Sequence, residues 1–355
     1  MVWVVPQNPR SSVNLGGKLL AGRPVEIGAL ARFQAPYSDG GWVDIYRMLD
    51  VVNNWRAAHS YPLNAATTTL KRKAGRVYLH ALVSQRIKRL VSIRAKLERF
   101  PDLNLSQIQD IGGCRAIVST VHQVRRLERM YTDYPIAENI QRIDDYIDEP
   151  RDSGYRGIHL IYKYQGMKPQ WEGLKIEIQL RSRRMHAWAT AVEIVGTFTQ
   201  QALKASEGEE EWLRFFVLMA SAIAGVERTA DVPNAPASPR ELKAELRESV
   251  RKLRVANVLE AYCNGLKIGL ETPDPSAHWY VLVLDSNTKT VYTYGYPWNA
   301  LTEAQARLEG VENEGTPGVD AVLASVDQVR NLKRAYPNYY LDSEVFLGLL
   351  HKAVA

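Results

Sequence analysis

Lys175–Ser182 reads KIEIQLRS. Successive side chains of a strand point to opposite faces, so Ile176, Ile178 and Leu180 share one face and Glu177, Gln179 and Arg181 the other. The pattern predicts a strand buried on its isoleucine side. A carboxylate, an amide and a guanidinium in a row form either the wall of a site or a polar face turned to water. Outward from this stretch, Gly157–Gln165 predicts a second strand and Cys114–Val121 a short third, with helices near Val43–Ala58, at Val124–Tyr131 and from Arg184 to about Glu227. Residues 76–99 read as one long helix, because Ile87, Leu90, Val91 and Leu97 recur at helical spacing and Pro101 lies just beyond. Residues 1–40, with weak periodicity, are expected to be mostly irregular.

The run TADVPNAPASPRE, residues 229–241, holds Pro233, Pro236 and Pro239 and resists both helix and sheet. It marks a boundary: 1–228, a proline-rich linker at 229–241, then 242–355. Ser238 and Glu241 suit a capping box with Pro239 at the first helical position, opening a helix to about Tyr262. WYVLVLD and KTVYTYGY, separated by Ser286-Asn287-Thr288, predict a hairpin, and Leu301–Ala306 and Asp320–Leu350 read as helical.

A length of 355 residues suggests two to three domains, and 46% hydrophobic with 24% charged residues excludes global disorder. No apolar run approaches the roughly 18 residues of a spanning helix. MVWVVPQNPR lacks the basic start of a secretory signal. Cys114 and Cys263 are too few for a disulfide framework or a thiolate-built zinc site, so a reducing cytoplasm is the expected compartment. The net charge is +6. From Lys71 to Arg99 ten basic residues face one acidic residue, Glu98, a local +9 that leaves the remainder slightly acidic. Such a segment suits a polyanionic partner, or is a solvated helix face.

Several residues are placed to carry chemistry. Asp110 precedes Gly112 and Gly113, which permit close backbone approach, and Arg115 follows. An aspartate at a strand mouth with a glutamate from a neighbouring strand is one way to hold Mg²⁺ on a polyphosphate; capping a turn is the alternative for Asp110. Lys88, Ser92 and Lys96 are spaced to form a stripe along a helix that either grips phosphates or faces water, with Arg86 near Arg89. In DYIDEPRDSGYRGIH, residues 145–159, Tyr155 is free to stack on a base or to pack in a turn. There is no G-x-x-x-x-G-K-[ST], G-x-G-x-x-G or H-E-x-x-H. His59, His80, His122, His278 and His351 stand alone, as ordinary surface or core histidines do.

Taken in order, RIKRLVSIRAK (Arg86–Lys96), DIGGCR (Asp110–Arg115), the Asp145–His159 loop and EIQLRSRRMHAWA (Glu177–Ala189) resemble the motifs of the RelA/SpoT synthetase domain. The resemblance implies an α/β (α+β) fold with a mixed sheet flanked by helices, and transfer of the β,γ-pyrophosphate of ATP to a ribose hydroxyl. It implies that Arg86 and Arg115 sandwich the adenine, and that Lys88, Ser92 and Lys96 hold the phosphates. Asp110 and Glu177 would bind Mg²⁺, with Glu177 also the base. Tyr155 would stack on the acceptor base, and His159, Gln179 and Arg181 would line the site. Arg151 stands where the family usually has Lys, and Thr190 where Glu is common after M-H-x-W-A. The Tyr336-Pro-Asn-Tyr339 segment makes the C-terminal third resemble the CapRel-type fused toxin–antitoxins of the toxic small alarmone synthetase group. That resemblance implies a pseudo-zinc-finger domain without zinc, whose Y-x-x-Y segment blocks the ATP site until a phage major capsid protein relieves it. The implied acceptor is the 3′-CCA end of tRNA. A (p)ppGpp synthetase acting on GTP or GDP, and a nucleotide- or RNA-binding regulator with a dead site, are the other readings.

Overall fold

The computed structural model describes residues 3–25, 45–133, 139–166, 168–198, 210–256, 258–259, 276–285, 290–314, 316, 319–325 and 339–355. The chain divides into two compact units, Met1–Asp145 with Gly157–Ser182, and Tyr146–Arg156 with Arg183–Ala355.

The first unit contains α1 (Arg10–Leu20), α2 (Ile45–Ala58), α3 (Ser60–Val77), β1 (Leu82–Ile87), α4 (Leu90–Arg99), β2 (Gly112–Val118), α5 (Val121–Thr132), β3 (Ile140–Asp145), β4 (Ile158–Lys163) and β5 (Lys175–Ser182). The five strands run in the order β1-β2-β5-β4-β3. β2 and β5 are parallel and the other neighbours antiparallel, so the sheet is mixed. Ile176, Ile178 and Leu180 are buried, as the alternation in KIEIQLRS requires, with Cys114, Ala116 and Val118 of β2 beside them. Each such isoleucine removed from water contributes about 1.5–3 kcal/mol. A second core joins Val13, Val52, Trp55, Ile93, Leu97 and Leu105 from α1, α2, α4 and the turn before β2.

Two expectations for this unit fail. Residues 76–99 are not one helix. α3 ends at Val77, Leu82–Ile87 pair antiparallel with β2, and α4 begins only at Leu90. Leu90, Val91 and Leu97 lie in α4, while Ile87 ends β1, where strand pairing overrides the helical spacing. Residues 1–40 are not irregular throughout, because Arg10–Leu20 is helical. Its Gly17 reads as a helix breaker in isolation. A Cβ there would lie 2.6 Å from Leu105 Cβ, so the glycine permits close packing. Residues 26–44 lie outside the described residues.

The second unit contains α6 (Arg183–Phe198), α7 (Glu210–Glu227), α8 (Pro239–Leu253), β6 (Trp279–Asp285), β7 (Thr290–Tyr296), α9 (Leu301–Glu314), β8 (Val319–Ser325) and α10 (Tyr339–Val354). Its sheet runs β7-β6-β8, antiparallel throughout. By packing, α6 and α7 group with the C-terminal elements, because Phe215, Phe216, Met219 and Ile223 of α7 share one core with Ile194, Leu246, Phe346 and Leu350. α8 opens as expected, with the Ser238 side chain accepting from the Glu241 amide. It closes at Leu253 rather than continuing unbroken, because Arg254 adopts a left-handed φ of 46°. The hairpin strands lie where expected, and their turn, residues 286–289, is outside the described residues. Asp320 does not begin a helix: Val319–Ser325 pair with β6, while Tyr339–Val354 are helical as expected.

Candidate active site

Strand register gathers most of the residues singled out from the sequence onto one face of the first unit's sheet. Glu177 on β5 is level with Gly113 on β2, which pairs with Arg86 on β1. Gln179 is level with Arg115 on one side and His159 on the other. This is the polar alternate of the face that buries the isoleucines.

Asp110 lies just before β2 and holds two ammonium groups. Lys88 Nζ donates to Oδ2 at 2.7 Å and Lys96 Nζ to Oδ1 at 2.9 Å. Lys88 is not on the helix, as a stripe with Ser92 and Lys96 requires. It sits in the connection before α4, and Ser92 and Lys96 occupy the helix itself. The two lysines converge because the connection is clipped in place. The Lys88 amide donates to the Ile111 carbonyl at 2.7 Å, and Arg56 Nε of α2 donates to the Lys88 carbonyl at 3.1 Å. Arg56 was beyond reach of sequence reasoning: 32 positions separate it from Lys88, and no motif links them. Burial pushes the Asp110 carboxyl up, but the two ammoniums outweigh burial and hold it at about 2.

Glu177 is held differently. His159 Nδ1 lies 3.0 Å from Oε1, and Gln179 Nε2 donates to Oε2 at 2.6 Å. Arg181 Nη2 in turn donates to Gln179 Oε1 at 3.0 Å, so Arg181, Gln179 and Glu177 form a chain along β5. Burial raises the Glu177 carboxyl and the charge of Asp110 raises it further, yet the His159 and Gln179 contacts prevail and lower it. The two carboxylates therefore act on each other electrically. Arg115 Nη2 reaches Ser84 Oγ at 3.5 Å, and Arg86 is exposed on β1.

Tyr155 and Arg151 belong to the second unit. There Tyr155 meets Tyr146 and Trp188 edge-on, with ring centroids 5.7 and 6.5 Å apart. The Arg151 guanidinium lies over Tyr146, 4.2 Å from its centroid, and donates to its hydroxyl. Thr190 turns inward and donates to the His186 carbonyl of its own helix at 3.0 Å. Tyr336 lies outside the described residues; Tyr339 is the first residue of α10.

Among the described residues no three His, Cys, Asp or Glu side chains cluster as a metal site. Asp110 and Glu177 offer carboxylate oxygens of the kind a magnesium–nucleotide takes one or two of, although both Asp110 oxygens already accept from lysines. The Cys114 thiol is buried and pushed up to about 12, which keeps it protonated and unreactive. His59 is a core histidine: its Nδ1 lies 2.7 Å from the Trp55 carbonyl, and burial lowers it to about 4. No helix among the described residues is long and apolar enough to cross a membrane.

Residues 85–196 match the family described as the region found in RelA/SpoT proteins. The match takes in about a third of the chain, and GTP pyrophosphokinases are among the proteins similar to it. The chain is 33% identical to the GTP pyrophosphokinase YjbM of Bacillus subtilis over 114 residues, 30% of this chain and 52% of that one. It is 32% identical to the probable chloroplastic GTP diphosphokinase RSH2 of Oryza sativa over 111 residues, 31% of this chain and 14% of that one. The chain thus spans about half the length of YjbM. The crystal structure of small alarmone synthetase 1 from Bacillus subtilis bound to its product pppGpp superposes with a TM-score of 0.43 at 21% identity, covering 50% of this chain and 92% of that one.

Proposed function

We propose that this protein is an ATP-dependent pyrophosphokinase. The observation that carries the reading is the nearness of the Lys88–Asp110–Lys96 cluster to His159–Glu177–Gln179 on the sheet, close enough for the Asp110 charge to act on Glu177. In this reading the acceptor's ribose hydroxyl oxygen attacks the β-phosphorus of ATP, the bond from that phosphorus to the α-phosphate oxygen breaks, and AMP leaves. Glu177 takes the hydroxyl proton, while Lys88, Ser92 and Lys96 hold the phosphates. Arg86 and Arg115 flank the adenine. Mg²⁺, when bound through Asp110 and Glu177, offsets charge developing on the phosphates.

The acceptor we favour is the 3′-CCA end of tRNA, with Tyr155, Arg151, His159, Gln179 and Arg181 receiving it. Exposed Lys71, Arg72 and Arg76 on α3 support a long polyanion over a mononucleotide. The reading that competes is a guanine-nucleotide acceptor, which the names of the relatives favour. Incubating the protein with γ-labelled ATP and either tRNA or GDP, with and without phage capsid protein, decides: label on tRNA carries the first reading, label on GDP the second, and label on neither under both conditions overturns both.

The same proposal assigns residues 1–228 to the toxin, 229–241 to the linker and 242–355 to a regulatory module, a functional division that crosses the packing units. In it, Tyr336 and Tyr339 plug the adenine pocket until a phage capsid protein withdraws them. A ring between two guanidiniums gains about 0.5–2 kcal/mol per contact. Tyr336→Ala with Tyr339→Ala should arrest growth without a trigger, and Glu177→Ala should abolish that arrest. A folded double variant that stays silent overturns the plug.

A further inference from the structure

Tyr155 sits in Tyr146–Arg156, which packs with the second unit although its sequence is flanked by β3 and β4 of the first. The loop closes its own turn: the Gly154 amide donates to the Arg151 carbonyl at 2.8 Å, and the Arg151 amide to the Tyr155 carbonyl at 3.2 Å. It then rests on α7. Gly154 has a φ of +83°, and a Cβ there would lie 2.6 Å from Ala220 Cβ, so only glycine brings the loop this close. Tyr155 leans on Trp188, whose Nε1 donates to the Phe216 carbonyl of α7 at 2.9 Å.

The residue after Tyr155 is a buried cation. Arg156 Nη1 lies 3.4 Å from Glu227 Oε2, with the side chains 2% and 1% exposed. The same Nη1 donates to Thr229 Oγ1 at 2.9 Å. Glu227 ends α7 and Thr229 opens the proline-rich stretch. Burial draws the guanidinium down to about 10 against the pull of Glu227, so it stays charged at neutral pH. A buried pair of this kind adds little net stability over apolar residues of similar volume, yet removing one partner strands a charge. What it does supply is a fixed geometry one residue from Tyr155.

We propose that Arg156 is a positioning residue for the acceptor: its pair with Glu227, reaching on to Thr229, holds the Tyr155 ring in place and couples acceptor handling to the proline-rich stretch. This rests on the reading of Tyr155 as the acceptor-stacking residue. The role differs from a tyrosine plug, because it acts on the acceptor and leaves ATP binding alone.

The decisive variant is Arg156→Met with Glu227→Leu, which removes both buried charges and leaves only the part-exposed Arg184, 4.0 Å from the other Glu227 oxygen, to water; Thr229→Val tests the outer link. Protein labelled with 5-fluorotryptophan gives Trp188 a ¹⁹F resonance, assigned by Trp188→Phe, that reports the Tyr155 ring without any acceptor present. The double variant should raise KM for tRNA, or for GTP if that is the acceptor, on the order of tenfold, the range of one lost base stack. It should leave ATP affinity by calorimetry unchanged and shift the Trp188 resonance. Thr229→Val should move both readouts in the same direction by less. A folded double variant with an unmoved resonance overturns the proposal, as does an equal loss of ATP and acceptor affinity, which marks a merely structural pair. Transfer to neither tRNA nor GTP by the wild type, with or without phage capsid protein, overturns the acceptor reading and the coupling with it, while the resonance still shows whether the pair sets the ring.

Discussion

The two carboxylates of the candidate site sit in the same unit and are held in opposite ways. Asp110 is gripped by two fixed ammoniums, one on each oxygen. Glu177 is held by an imidazole and a neutral amide. Asp110 is thereby pinned at about 2 and is a permanent anion. Glu177 is lowered too, but by an imidazole and an amide rather than by two ammoniums. The difference fits the roles proposed for them: Asp110, anionic at neutral pH between two lysines, for organising phosphates, and Glu177, with no ammonium partner among the described residues, for taking the proton.

The largest effect should come from the proton acceptor. Glu177→Gln keeps the size and the contact with Gln179 but removes the base, and kcat should fall on the order of 10²–10⁴-fold. Single-turnover transfer from γ-labelled ATP measures it, and circular dichroism should show an unchanged fold. Turnover near wild type would end the assignment. Next comes the anchor. Lys88→Met leaves Asp110 with one ammonium, and ATP affinity should fall about tenfold or more, the equivalent of one lost charge-assisted hydrogen bond. Calorimetric titration with a non-hydrolysable ATP analogue reads this out. Equal affinities would mean that Lys88 serves the fold alone.

Asp110 also sets an acid limit on stability. Its folded value, about 2, is below its ordinary 3.8, so its contribution is complete above 3.8 and lost as pH falls toward 2. That shift corresponds to about 2 kcal/mol. Urea denaturation of wild type and Asp110→Asn should differ most at neutral pH and converge at the acid end. A difference independent of pH would contradict the lysine-held geometry.

Much of this site was legible because it depends on alternation. KIEIQLRS fixes its buried face by period two, and register with its neighbours then brings Arg115 and His159 level with Gln179. The Arg86–Lys96 stretch is a strand end, a connection and a helix rather than one helix, because helical spacing within α4 carries no mark of where the helix starts. β3, IQRIDD, went unnoticed because most of its residues are exposed or half-exposed and it has no apolar run. α3, by contrast, is marked in the sequence by the helical period of Leu63, Ala66, Leu70, Ala74 and Val77. Arg56 and Glu227 left no trace at all. Their contacts span 32 and 71 positions and exist only after folding.

The smallest predicted effect is the one that tests the comparison itself. Glu177 is lowered by His159 and raised by Asp110, so the two neighbours act on it with opposite sign. His159→Gln removes a lowering partner. The Glu177 value must then rise, and the acid limb of the kcat/KM profile must move to higher pH. Asp110→Asn removes a raising charge, so the limb of its residual activity must move to lower pH. In His159→Gln the glutamine amide can still donate to Glu177, so the loss near neutrality should stay within about tenfold, well short of losing the base. Limbs moving in opposite directions would place Glu177 as the titrating base between two unlike neighbours. Limbs that move together, or not at all, would mean that the titration belongs to another group and that the softer cage around Glu177 has no role in the proton transfer.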